Sequence, residues 1–376
     1  MSKLLIRNAR LVDESVVDIL VEDQIIKKID SHIECEEDVK IIELDKDSYL
    51  SAGWIDAHTH CFEKFKLYSD NCETIGYQSG VTAVVDAGTA GADNIDEFYQ
   101  QVKDCTTRVF SLLNISKTGI YAQNELADLN HIDQDAFIKA YEKYPEFIIG
   151  VKARMSKSVV GDNGDLPLFK AIEIANKVEL PLMVHIGTAP SKIDTVLNNL
   201  RENDIVTHIF NPKVNGILDK NNEIRASVFG AMEKGVYFDL GHGTDSFSFD
   251  VLKRANEENI KLDTISSDIY FRNRENGPVY DLATTMNKLY NRGYTLQEVI
   301  DCVTAHPAKM YSLNQLGQIK EGYYADFTIF KIIKGKKELI DSTKKKVIVD
   351  EYIQPVSVII KDQYIHIEEK ENGKCL

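Results

Sequence analysis

Ser51-Ala52-Gly53-Trp54-Ile55-Asp56-Ala57-His58-Thr59-His60 reads as a short strand that ends in two histidines two positions apart. Side chains at i and i+2 of a strand share a face, so His58 and His60 present two imidazoles side by side at one strand end. Neutral imidazole is a common ligand for zinc and similar divalent ions. The pair alone is a weak signal, because two structural histidines on a strand look the same. Its weight depends on what the rest of the chain lines up behind it.

From Ile55 onward, short apolar runs alternate with amphipathic stretches. The runs are Trp54–His60, Val81–Asp86, Val109–Asn114, Phe147–Arg154, Leu182–His185, Ile205–His208, Val236–Leu240 and Asp263–Asp268. Between them, stretches such as Asp135–Tyr144, Leu166–Val178, Ile193–Glu202, Glu223–Lys234 and Phe249–Asn259 carry apolar residues at helical spacing. Buried parallel strands alternating with helices make an α/β protein. Eight such units over about 250 residues predict a closed (β/α)8 TIM barrel, with a doubly wound open sheet as the alternative.

Outside this region the texture is different. Residues 1–50 hold short strand-like runs (4–11, 16–21, 24–29, 40–44) separated by Asp, Glu and Ser. After the helix expected over Leu296–Thr304, strand-like runs return between residues 317 and 370, and the basic run Lys344-Lys345-Lys346 reads as a solvated turn. The expected division is a barrel over 51–314 and a small β-sandwich built from both chain ends, 1–50 and 315–376.

Composition narrows the function. The 376 residues carry 44 basic and 59 acidic side chains, a net charge of −15, which argues against nucleic acid and anionic membranes as partners and leaves a small molecule. The six cysteines (35, 61, 72, 105, 302, 375) form no Cys-x-x-Cys pair and suit free thiols in a reducing, cytoplasmic setting. The N-terminus turns charged too soon for a signal peptide. No apolar run reaches the roughly 20 residues of a membrane span. No stretch specifies or excludes a homo-oligomer.

Active sites of α/β barrels lie at the carboxyl ends of the strands. There the expected strand order gathers His58 and His60 (first), Lys152 and Arg154 (fourth), His185 (fifth), His208 (sixth) and Asp268 (eighth). This pattern resembles the amidohydrolase superfamily of metal-dependent hydrolases. The likeness extends to Thr304-Ala305-His306-Pro307-Ala308 and to the stretch from Gly317 to Phe327, which look like the passage from barrel to outer β domain; Ala52-Gly53 stands where Pro-Gly is frequent.

The resemblance implies a site for two divalent ions, zinc first among them. His58, His60 and Asp268 would hold the more buried ion, His185 and His208 the second, and Lys152 would bridge them as a carbamate formed with carbon dioxide. It also implies metal-activated hydroxide as nucleophile and Asp268 as the proton carrier. Arg154, two residues beyond Lys152 on the same strand face, is suited to a two-point clamp on a substrate carboxylate. His242, between Gly241 and Gly243, could donate to a substrate oxygen. Together they favour a substrate carrying a carboxylate, and Gly150-Val151-Lys152-Ala153-Arg154 with Gly241-His242-Gly243 resembles the branch of the superfamily that acts as deacetylases of N-acyl amino acids or acylated hydroxy acids. Dihydroorotase-like opening of a cyclic amide is the alternative, followed by adenine deamination; a non-enzymatic barrel fits poorly with six ligand-capable groups.

Overall fold

In a computed structural model, residues 3–34 and 38–368 are described; Cys35 and Cys375 lie outside them. The chain opens with β1 (Lys3–Arg10), β2 (Val16–Glu22), β3 (Ile25–Asp30), β4 (Lys40–Glu43) and β5 (Ser48–Ala52). Then come β6 (Trp54–Thr59), β7 (Val81–Ala87), β8 (Arg108–Asn114), β9 (Ile148–Arg154), β10 (Leu182–His185), β11 (Ile205–Thr207) and β12 (Tyr237–Asp239). They pair in sequence order, all parallel, into one sheet. Every residue of β6, β7 and β9 is buried. Both faces are covered, which is why these strands read as continuous apolar runs without alternation.

The two edges of this sheet meet through residues 264–269. Thr264 bridges Asp239 on one side and Ile269 bridges Thr59 on the other. The amides of Leu240 and His242 donate to Thr264 and Ser266, while Asp268 N–H donates to the His58 carbonyl at 2.7 Å. The arrangement is TIM-like. The eighth run is not a full strand, however, and the sixth stops at Thr207. His208, with φ of +70°, ends the sixth strand in left-handed backbone, and the eighth run makes only isolated bridges before ending at Asp268, φ +49°.

The strand interior is packed with Ile55, Ala83, Val85, Leu112, Met183 and Ile205, and one end is plugged by Met310, Tyr311, Leu313 and Leu316. The outer helices match the amphipathic stretches closely. Leu166–Val178 has the expected bounds, and Phe249–Glu257 is capped by Ser248, whose side chain accepts from Asp250 N–H.

Three more strands, β13 (Phe327–Ile340), β14 (Lys346–Ile360) and β15 (Gln363–His366), join β1–β5. Where the sequence suggested a sandwich, hydrogen bonds link these described strands into one mixed sheet, ordered β15-β14-β13-β5-β1-β2-β3 with β4 on β1. Gly53 N–H donates to the Asp326 carbonyl at 2.7 Å, and Arg108 pairs with the Asp326 carboxylate, so this sheet is anchored beside β6 and β8. The long β13–β14 hairpin reaches back over the barrel helices. Its turn is held there by Asp341 Oδ2, which accepts from Phe249 N–H, and by Ser342, which meets the Phe247 backbone.

Candidate metal centre

Four histidines, a lysine and an aspartate converge where the parallel strands end. Asp268 Oδ1 is 3.1 Å from His60 Nε2 and 3.5 Å from His58 Nε2. One ligand atom from each of these three residues lies within 4.8 Å of the others, close enough for all three to hold one cation. On the other side, His185 Nδ1 and His208 Nε2 are 2.7 Å apart. The His58 and His208 rings, 5.2 Å between centroids, connect the two groups. Lys152 Nζ lies 3.3 Å from His58 Nε2 and 3.0 Å from Met183 Sδ.

Each imidazole has one nitrogen tied back and the other aimed inward. His60 Nδ1 is 2.7 Å from Thr89 Oγ1, and His208 Nδ1 donates to the Gly241 carbonyl at 2.6 Å. His185 Nε2 meets Ser156 Oγ at 3.0 Å. His58 Nδ1 is 3.0 Å from Thr207 Oγ1, which gives its own proton to Asp239 Oδ2. The Thr207 oxygen therefore accepts from His58 Nδ1–H, and Nε2 keeps its lone pair for the pocket. Asp239 is fully buried and also receives the hydroxyls of Thr264 and Ser266. Threonine and serine partners of this kind fix ring orientation and tautomer at metal sites.

Burial keeps the rings of His58, His185 and His208 neutral. Desolvation, reinforced by Lys152, pushes His58 well below the usual histidine range. His185 is lowered by desolvation and by His208. His208 falls to about 4, again through burial, with Asp268 opposing the shift. Burial also brings the Lys152 amine down to about 7, against the pull of Asp268 and Asp239. Two close approaches shape the pocket floor and wall. A Cβ on Gly88 would stand 2.6 Å from Lys152 Cγ, and one on Gly243 would stand 2.4 Å from Asp268 Oδ2.

The two residues expected to read substrate are differently employed. The Nε–Nη2 edge of Arg154 is already taken by the buried Glu125 at 2.6 and 2.7 Å, so that edge cannot clamp a second carboxylate. Its ring neighbour is Tyr68, which also packs on His60 and Tyr270. His242 is fully buried, with Nδ1 donating to the Gly243 carbonyl at 2.8 Å and Nε2 accepting from Lys288 Nζ at 2.8 Å. Neither nitrogen is left for a ligand. The sequence reading missed Thr207, Asp239, Glu125 and Lys288. A buried lysine inside a helical stretch has no sequence signature, whereas Thr207, next to His208 at a strand end, was the one open to suspicion.

Residues 49–365 match the amidohydrolase family. A protein of Enterococcus faecalis named as a deacetylase is 48% identical over 362 residues, covering 96% of this chain and 98% of its own length. A solved structure described as an adenine deaminase superposes with a TM-score of 0.95 at 47% identity, over 97% of this chain and all of that one. Another, described as a dihydroorotase, gives a TM-score of 0.88 at 30% identity, over 97% of this chain and 98% of that one.

Proposed function

Since this chain belongs to the amidohydrolase family, a family of hydrolytic enzymes that use divalent metal ions, we propose that it is a deacetylase acting on a small carboxylate-bearing amide or ester, such as an N-acetyl amino acid or an O-acetyl hydroxy acid. The observation that carries this reading is the convergence of His58, His60, Lys152, His185, His208 and Asp268 in one pocket. The deacetylase named in Enterococcus faecalis supports the acyl group.

The side chains fit the ions the family uses. Neutral imidazoles with inward lone pairs and a carboxylate are the donor set for a divalent cation such as zinc. His58, His60 and Asp268 would hold one ion, and His185 and His208 a second. An ammonium at Lys152 would repel both. A carbamate formed there from carbon dioxide is an anion with two oxygens, suited to lie between them. Bound ions supply Lewis acidity and bring the pKa of water from 15.7 toward about 7.

The remaining steps fall to the protein. Asp268, pressed against Gly243 and facing both first-strand histidines, takes the proton of the attacking water and returns it to the leaving nitrogen or oxygen. Tyr68 and Tyr270, edge to face at 4.9 Å, narrow the mouth beside His60. With the Nε–Nη2 edge of Arg154 held by Glu125, Lys213 is the cation this reading assigns to the substrate carboxylate. This lysine is half-buried on the turn after His208, and its charge is among those that lower His185 and His208. Among the described residues its ammonium has no ion-pair partner. Lys213→Met should raise KM for the acid about tenfold and leave KM for the corresponding primary amide unchanged, in line with about 1.4 kcal/mol for a lost charge contact.

The same proposal includes a barrel over 51–314 with a small β domain from 1–50 and 315–376, and a cytoplasmic setting suited to the free thiols of Cys61, Cys72, Cys105 and Cys302. No described helix is long and apolar enough to cross a membrane. Opening of a cyclic amide is the second reading, favoured by the similarity to the dihydroorotase structure. Assaying the zinc-loaded protein on N-acetyl and O-acetyl acids, dihydroorotate, hydantoins and adenine separates the readings. Turnover confined to the cyclic amides or to adenine overturns the deacetylase assignment.

A further inference from the structure

Lys288, on the helix Leu282–Leu289, is fully buried. Among the described residues no carboxylate lies within ion-pair distance of it. Its Nζ donates to His242 Nε2 at 2.8 Å and to the Pro278 carbonyl at 2.7 Å. A carbonyl can only accept, so the His242 nitrogen facing Gly243 O carries the ring proton and Nε2 is a lone pair. One lysine donor thus selects one tautomer, and that tautomer grips the backbone of the turn 241–243.

This turn touches the metal centre twice. The Gly241 carbonyl receives His208 Nδ1–H at 2.6 Å, which turns His208 Nε2 into the pocket. Gly243 lies so close to Asp268 that no side chain fits between them. Both glycines have positive φ, +48° and +50°, so the turn is held in a backbone conformation that extended strands do not impose. Its other supports are Ser266 Oγ, which accepts from Gly241 N–H at 3.0 Å, and Phe247, which lies against the His242 ring with centroids 4.9 Å apart.

We propose that Lys288, acting through His242, is a positioning residue: it locks the turn Gly241–Gly243 in the form that seats His208 and Asp268 for the reaction. The energetics run against a purely structural role. A buried ammonium without a carboxylate is costly, and an apolar side chain of similar length would pack there without that cost. Burial also draws the Lys288 amine down to about 7, against the more distant pull of Asp281 and Asp341. A buried amine held without an ion pair calls for an explanation, and the contacts of the turn 241–243 with His208 and Asp268 supply one. The inference rests on the pocket being the hydrolytic site.

Lys288→Met and Lys288→Gln test it in the full protein, metal-loaded for the kinetics and metal-free for the tautomers. Methionine keeps the volume and removes the donor; the glutamine amide can still donate to His242 Nε2. Three readouts are compared: Tm, the kcat and KM of an acetylated substrate, and the tautomers of His242 and His208 by nitrogen-15 NMR of the metal-free protein. Lys288→Met should hold or raise Tm, release the single His242 tautomer and lower kcat about 10- to 100-fold with KM nearly unchanged. Lys288→Gln should recover the tautomer and part of kcat. Wild-type kcat and tautomers in Lys288→Met overturn the proposal. If that variant does not fold, a folded Lys288→Gln with wild-type tautomers supports the proposal and one with mixed tautomers overturns it. A wild type that hydrolyses no acetylated compound overturns the deacetylase reading alone, because the tautomers are read without turnover.

Discussion

Each pocket histidine has one ring nitrogen committed by its neighbours. Asp239 is the clearest case: it takes protons from Thr207, Thr264 and Ser266, and Thr207 in turn orders His58. Asp239→Asn adds an N–H donor where only acceptance is tolerated, so the threonine hydroxyl must turn and His58 loses its fixed tautomer. Activity, or bound metal per chain, should fall about 10- to 100-fold, checked by kinetics and by elemental analysis of the purified variant. Arg154 and Glu125 show another kind of arrangement, in which one edge of the guanidinium is used internally. Both are nearly inaccessible, at 5% and 3% exposure. Glu125→Leu leaves a buried guanidinium unpaired and should destabilise the fold by about 3–5 kcal/mol, read from the midpoint of urea unfolding. From sequence, an arginine two positions beyond Lys152 is a sound candidate for a carboxylate clamp; what hides its true partner is that Glu125 lies 29 residues upstream in a loop.

At the scale of elements, the turn Gly241–Gly243 does what no strand could. Gly243→Ala would force a methyl to 2.4 Å from Asp268 Oδ2 and keep φ at +50°. A displaced Asp268 should lower kcat by about 100-fold, with far-ultraviolet circular dichroism unchanged to show that the fold survives. Elements were also where the sequence was most readable. The first seven apolar runs all became strands of one sheet, and Leu166–Val178 kept its bounds. Periodicity reports burial, and burial here is set by neighbours close in sequence. The eighth run makes only isolated bridges, and its apolar pattern does not reveal the left-handed Asp268 at its end. The ligand-capable side chains were legible because strand ends in a parallel sheet share one rim. The supports behind them were not, since Lys288 approaches His242 from a helix 46 residues on.

For the whole molecule, the buried lysine gives stability a definite pH dependence. Lys288 has an ordinary pKa of 10.5 and about 7 in the folded protein. Between those values the unfolded chain binds a proton that the folded protein does not, so unfolding free energy rises with pH. The slope from this group is up to about 1.4 kcal/mol per pH unit, and it vanishes below about pH 7, where both states are protonated. Lys288→Met should flatten that part of the wild-type curve, measured by denaturant unfolding of both proteins between pH 7 and 10. A last consequence concerns how the molecule comes together. Trp54 N–H binds Thr328 Oγ1 across 274 positions of chain, and β5 pairs with β13 along its whole length. On the ribosome, β5 therefore emerges with one flank bare and waits for nearly all of the barrel to be synthesised before its companion appears. In that interval the newborn chain carries an open β flank that invites capture by a sister molecule.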